Sequence, residues 1–392
     1  MINRRQCLVQ AMGLTLSPAL LAAAPARAPR TLVVFLRGAC DGLSVLSPLD
    51  SDDYREARPQ IAIPRAQGGQ PGSQALDADW GLHPAVWQHL EPLWRQRQLA
   101  FVPFAGMPDP SRSHFEMQDK MELGQGSQPR DYRSGFLARL LAETQGRKAA
   151  AFTRQVPLVL SGPVTWPNIP LATRGRAHGL DTRTQDLMRE MYQRQPEGRL
   201  AAEALENRAM AADLAQEMDA ADRQAVSPGS FTAAADRIGR MMLERFQVGF
   251  VDVGRWDTHV SQGAVTGQLA DRLADLSSGL QRLSATLGSA WADTVVIVIS
   301  EFGRTFKENG NRGTDHGHGG LIWLLGGGLH GGRVAGEQVP VRWRHLHEQR
   351  DLPVLNDYRQ VLGGVLARQH GLDAAAASRL FPGTRPLDLS LL

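Results

Sequence analysis

The hydrophobic pattern along the chain alternates between two kinds of segment. Short continuous apolar runs rich in β-branched residues occur at Thr31–Leu36, Leu99–Pro103, Val156–Leu160, Val248–Val253, Thr294–Ile299 and Leu321–Leu325. Runs of this kind, bounded by glycine or polar loops, predict strands buried on both faces of a parallel sheet. Between them lie stretches with helical spacing. One starts at His83, one near Ser113, and one covers Phe136–Leu141. A helix capped by Ser230 runs to about Arg245, a long amphipathic one covers Gly267–Leu287, and another covers Asp357–Gln369. The segment Gln185–Ala225 is rich in alanine, leucine and charge and predicts one or two long surface helices. Strands alternating with helices define an α/β fold with a largely parallel sheet. A helical insertion is expected around 185–245. Residues 65–75, rich in Gly, Gln, Pro and Ser, predict a surface loop.

The first 28 residues do not fit this pattern. Arg4 and Arg5 precede an uncharged, mostly apolar stretch from Cys7 to Ala24, and Ala26 and Ala28 frame an A-x-A cleavage signal. That is the layout of a signal peptide, and the arginine pair points to twin-arginine (Tat) export with the Tat translocase as partner. The expected location is therefore the periplasm or cell envelope, and residues 29–392 are expected to form one domain. The apolar stretch is too short and interrupted for a membrane span, which needs about 20 apolar residues. No later segment is long enough to span.

The signal also accounts for the charge. The chain has 43 Lys+Arg and 40 Asp+Glu. Arg4, Arg5 and Arg27 supply the whole excess, which leaves the remainder balanced. No global electrostatic case for nucleic acid remains. Once Cys7 is removed, Cys40 has no partner, so no intrachain disulfide is expected. That suits a protein folded before export.

Candidate chemistry clusters just beyond the predicted strands, where ligands bind in open α/β sheets. Asp41 follows the first strand, with Ser44 three residues on as a nucleophile or a helix cap. Asp257 and His259 follow the fourth. Glu301 follows the fifth and leads into a glycine-rich loop bearing Asp315, His316 and His318. Arg112 and His114, in SRSHFE, are candidates for holding an anion and donating a proton. Mixed carboxylate and imidazole donors suit Zn, Mn or Fe. The competing reading of each cluster is loop stabilisation: Asp-Gly turn chemistry at Asp41, capping at Asp257, and backbone bonding in the glycine loop.

The segments VVFLRGACDGLSVLSP, YREARPQIAIP, GLHP, DPSRSHFEMQD, WDTHVSQ, SEFGRTFKENGNRGTDHGHGG, GGRVAG and LPVLNDYRQVL together resemble the family called domain of unknown function 1501, over nearly all of the chain after the signal. This family is placed near the alkaline phosphatase and sulfatase superfamily. The resemblance implies a three-layer, alkaline phosphatase-like α/β sandwich with divalent metals at the strand ends. In that pattern Asp41 looks like the early Asp, Ser44 the nearby nucleophile, Asp257 and His259 the middle pair, and His316 and His318 late or replacement imidazoles. Ser300-Glu301-Phe302-Gly303 stands where the superfamily has an Asp-His-Gly loop, a departure that leaves one metal rather than two. The C/S-x-P-x-R string of sulfatases is absent at Cys40, so no formylglycine is expected. The resemblance thus implies a metal-dependent hydrolase of phosphate or sulfate esters, small or polymeric. The alternative is a non-catalytic envelope binding or assembly protein that keeps the fold. One polar pocket formed by Asp41, Asp257, His259, Glu301, His316 and His318 is expected.

Overall fold

The computed structural model describes residues 28–126, 130–171, 190–191 and 231–392. Arg4, Arg5, Ala26, Ser230 and nearly all of the predicted surface helices at 185–225 lie outside them.

Eleven strands are present among the described residues: β1 Arg30–Leu36, β2 Leu46–Pro48, β3 Gln74–Ala75, β4 Trp80–Leu82, β5 Leu99–Gly106, β6 Ala149–Phe152, β7 Val248–Val253, β8 Thr294–Ser300, β9 Gly320–Leu325, β10 Arg333–Val334 and β11 Asn356–Asp357. Eight of them form the central sheet, in the order β10-β5-β9-β8-β1-β7-β6 with β11 paired to β5. All neighbours are parallel except β9, which runs antiparallel to both β5 and β8. Strands β2, β4 and β3 make a separate small antiparallel sheet.

The central strand β1 is buried along Thr31–Leu36, and its alternate side chains feed two cores. Leu32, Val34 and Leu36 join the helices Pro84–Arg95, Phe231–Glu244 and Gln268–Leu287 on one face. Val33 and Phe35 join the helices His114–Leu123, Phe136–Glu143 and Tyr358–His370 on the other. This is the period-two alternation of a strand covered on both sides, and it makes the three layers expected from the sequence.

The helix starts follow local chemistry. His83 caps Pro84–Arg95 through Nδ1, which accepts from the Ala85 amide, and Asp357 caps Tyr358–His370. Ser113 precedes the helix at His114, although its side chain makes no cap bond. Two expectations fail. Gln74–Ala75, at the end of the stretch read as a surface loop, forms β3 and pairs with β4. Val156–Leu160 is not a strand; Leu158–Leu160 is a single 3-10 turn behind Pro157. The strand in this region is β6, whose alanines carried no β-branched signal and are held in the sheet by pairing with β7.

Candidate metal centre

The carboxyl ends of β1, β7 and β8 lie side by side, with Leu36 opposite both Val253 and Ser300. The loops after β7 and β8 therefore project from one edge, and the start of the helix His114–Leu123 meets them there. This edge brings together Asp257, His259, His316 and His114, residues that are up to 202 positions apart in the sequence. The ligand atoms of His114, Asp257 and His316 all lie within 4.8 Å of one another. His316 Nε2 is 2.9 Å from His114 Nε2 and 3.1 Å from His259 Nε2. The Asp257 carboxylate is 2.8 Å from His259 Nε2, 3.3 Å from His316 Nε2 and 3.5 Å from His114 Nε2.

The outer nitrogens decide what these contacts mean. His114 Nδ1 donates to Glu301 at 2.8 Å, His259 Nδ1 donates to Asp315 at 3.2 Å, and His316 Nδ1 donates to the main-chain carbonyl of Arg112 at 3.1 Å. A carbonyl and an ionised carboxylate can only accept, so each Nδ1 carries a proton. In the neutral rings all three Nε2 lone pairs then point at one another and at a carboxylate. A single proton satisfies one of these approaches, whereas a cation satisfies all of them. Histidines held at one nitrogen by an oxygen acceptor, with the other nitrogen converging on a common point, are the usual construction of a metal site. Three imidazoles and one carboxylate suit a divalent transition ion such as Zn, Mn or Fe better than calcium.

The supporting groups are well fixed. Glu301 is fully buried. Its carboxylate accepts from the Gly38 amide, His114, Gln118 and Ser300. Burial alone would raise its pKa, but the hydrogen bonds from His114, Gln118 and the backbone outweigh it and hold the group below the usual range. Burial likewise opposes ionisation of Asp257, and the hydrogen bond and charge of Arg304 overcome it. Hydrogen bonding to Glu301 raises the pKa of His114, whereas burial and the neighbouring His114 lower that of His316. The rings of His114 and His316 pack on Phe302, with centroids 5.0 and 5.2 Å apart. Phe302 thus forms an apolar wall beside the two rings.

The glycine-rich loop follows from close packing. A Cβ on Gly313 would lie 2.4 Å from the main chain of His259, and one on Gly317 would lie 2.4 Å from that of Arg304. Only glycine lets the loop pass close enough to place His316 beside His259.

Several predicted site residues are placed differently from expectation. Asp41 is not in the cluster. It is buried in an ion pair with Arg58, at 2.6 and 3.0 Å, and also accepts from Ser44 and Gln262. Its oxygens are therefore already occupied by donors. Burial raises the Asp41 pKa, but the Arg58 charge and hydrogen bonds reverse this and hold it low. Ser44 lies in the short helix Gly42–Val45 with its hydroxyl tied to Asp41. His318 is buried and faces His347, with ring centroids 4.8 Å apart, and is not part of the cluster. Burial, with His347 and Arg112 nearby, pushes its pKa down to about 4. Glu301 and Asp315 stand behind the imidazoles rather than among the converging atoms. His114, read from sequence as a proton donor, is one of the converging rings. Arg112 takes part through its carbonyl, while its guanidinium pairs with Asp351 and Glu348.

Sequence reasoning missed Arg304, Arg58, Gln262 and Gln118. Arg304 is buried and pairs with Asp257 at 2.5 Å. It also donates to Thr314, whose hydroxyl donates to Gln262, which in turn reaches Asp41. A buried polar chain thus links the Asp41–Arg58 pair to the cluster. No spacing rule identifies such residues. The only local cue is an arginine set among apolar or small neighbours in each of the segments FGRTF and ARPQI.

The described residues thus form a mainly parallel three-layer α/β sandwich with a histidine and aspartate cluster at the carboxyl edge of its sheet. The chain belongs to the protein family of unknown function DUF1501, whose model matches residues 28–381. Among solved structures, it is similar to Ps i-CgsB in complex with k-i-k-neocarrahexaose, at 8% identity and TM-score 0.38, covering 93% of this chain and 76% of that one. It is also similar to an alkaline phosphatase superfamily protein from Vibrio parahaemolyticus, at 11% identity and TM-score 0.33, covering 76% and 60%. The third is the PsFucS1 sulfatase from Pseudoalteromonas sp., at 12% identity and TM-score 0.35, covering 79% and 64%. No curated protein matches the sequence significantly.

Proposed function

We propose that this chain is a metal-dependent hydrolase of phosphate or sulfate esters. The observation that carries the reading is the set of three imidazoles, each with Nδ1 bonded to an oxygen and Nε2 converging on the Asp257 carboxylate. His114, His259, His316 and Asp257 would hold one divalent ion, which supplies Lewis acidity toward an ester oxygen and acidifies water. Glu301, Asp315 and the Arg112 carbonyl fix the ring orientations. Arg304 keeps Asp257 ionised, and Phe302 excludes water from one side of the rings. Ser44 is spent on Asp41, so this reading assigns attack on the ester to water rather than to serine.

Tat-dependent export is part of the same proposal and rests on Arg4, Arg5 and the A-x-A pattern ending at Ala28. Changing both arginines to lysine should leave uncleaved precursor in the cytoplasm, and normal envelope yield would refute it.

The test of activity uses aryl phosphate and aryl sulfate esters with the purified protein supplied with Zn, Mn or Fe in turn. Turnover with at least one ion should fall at least 100-fold in Asp257→Asn and His316→Ala variants that keep the native circular dichroism. Turnover unaffected by either substitution would show that the cluster does not act. Full metal loading without turnover on any ester favours the alternative, a binding or assembly protein, which the occupied Asp41 and Ser44 also suit.

A further inference from the structure

A concave site lies at the other end of the sheet. It is a cavity of about 980 Å³ whose lining includes Trp87, Trp94, Arg65, Arg95, Arg97 and Arg333, with no acidic residue among those that line it. Trp87 and Trp94 sit on the helix Pro84–Arg95, and Arg97 follows that helix just before β5. Arg333 opens β10, which is parallel to β5. Strand β5 runs in the same direction as β8, because both are antiparallel to β9. The cavity is therefore at the amino edge of the sheet, and the histidine cluster is at the carboxyl edge.

The chemistry of the lining is specific. Arg65, Arg95, Arg97 and Arg333 are all exposed. Arg97 donates to the Gly331 carbonyl, and Arg333 donates to the carbonyls of Leu389 and Ser390. Neither has a carboxylate partner among the described residues. Arg95 is paired to Glu91, and Arg65 approaches Asp50 only at 4.0 Å. Arginine forks match the paired oxygens of sulfate, phosphate or carboxylate groups. The two tryptophans are half-buried, so each ring has both a packed and an open part; Trp94 is held against Phe101 at 6.1 Å. Seven residues apart on one helix, they are about 10.5 Å apart along its axis. Adjacent stacked bases repeat at about 3.4 Å, so a nucleic acid strand would not place neighbouring bases on both indoles. A chain of larger rings carrying anionic groups suits the open indole faces and the arginine charge.

We propose that this cavity binds an anionic polysaccharide, holding the polymer at one edge of the sheet while the histidine cluster acts at the other. The choice of a saccharide over other polyanions rests on the ester-hydrolase reading; the existence of the anion site does not.

The test measures binding of a sulfated hexasaccharide by calorimetry to the metal-loaded protein, beside its unsulfated counterpart and a single-stranded DNA oligonucleotide of equal charge. Binding is read without turnover, so it stands apart from the activity test. Arg65→Gln/Arg97→Gln should weaken the sulfated hexasaccharide at least tenfold at moderate salt, and His316→Ala should leave its affinity within twofold. The unsulfated sugar and the oligonucleotide should each bind at least tenfold more weakly. Equal or tighter oligonucleotide binding would overturn the saccharide assignment. Binding lost in His316→Ala but intact in the arginine variant would place the polymer at the metal centre alone and overturn the proposal. No measurable binding to the wild type would overturn it too, while leaving the metal reading untouched.

Discussion

The Asp41–Arg58 pair shows how single residues decide the chemistry. Both side chains are almost fully buried, and each answers the other's charge. Removing one partner of such a pair leaves an unpaired buried ion, which costs about 3–5 kcal/mol. Arg58→Met should therefore lower unfolding free energy in urea by that amount, and adding Asp41→Asn should restore part of it. A single-variant cost below about 1 kcal/mol would show that neither charge depends on the other for its burial. Glu301 gives a second residue-scale prediction. Glu301→Gln keeps the shape but removes the charge behind His114. It should weaken metal affinity about 10–100-fold, as loss of such supporting carboxylates does, with the fold retained. Competition with a chelator of known affinity measures this, and unchanged affinity would refute the assigned role. The sequence made Asp257, His259 and His316 legible as candidates that the structure brings together, because polar clusters directly after strong strands stand out. It could not separate ligand from support. The distinction between Glu301 and His114 depends on which atoms face inward, and that is set by tertiary packing.

At the scale of elements, the sequence was most informative where burial is two-sided. Strands β1, β7, β8 and β9 carry dense β-branched or apolar runs, and their boundaries follow closely. Strand β6, built of three alanines and a phenylalanine, has little local preference and owes its form to its neighbour. The glycine loop after β8 was visible as a loop, but its function as a spacer was not, since that depends on the backbone it touches. Gly317→Ala should force the loop away from Arg304, because the new Cβ would lie 2.4 Å from that main chain. Bound metal should fall sharply in this variant. Gly254→Ala, which meets nothing within 4 Å, should bind metal as the wild type does. Equal metal content in both variants would contradict the spacer role.

Over the whole molecule, stability couples to pH through groups far from the cluster. His370 accepts from Arg147 at Nδ1 and bonds Thr31 at Nε2. Burial, with Arg147 adding to it, pushes its pKa down to about 3. An unfolded histidine titrates near 6.5, so above that pH both states are neutral and the full stability is present. Below it the unfolded chain takes up a proton that the folded chain refuses, and stability falls from about pH 6.5 down to the folded value. Between about pH 6 and 5 this one group should contribute up to about 1.4 kcal/mol per pH unit. Urea unfolding of His370→Gln should show a slope flatter by that amount, and an unchanged slope would contradict the burial account.

If His114, His259, His316 and Asp257 together hold one divalent ion, that ion should be present in the purified protein. The most direct measurement is elemental analysis of the protein expressed with Zn, Mn and Fe available and purified without chelators, with His316→Ala and Asp257→Asn prepared in parallel. Close to one ion per wild-type chain is expected, with a large loss in both variants, each with native circular dichroism. Wild-type protein that carries no divalent ion, or variants that keep a full one, would contradict it.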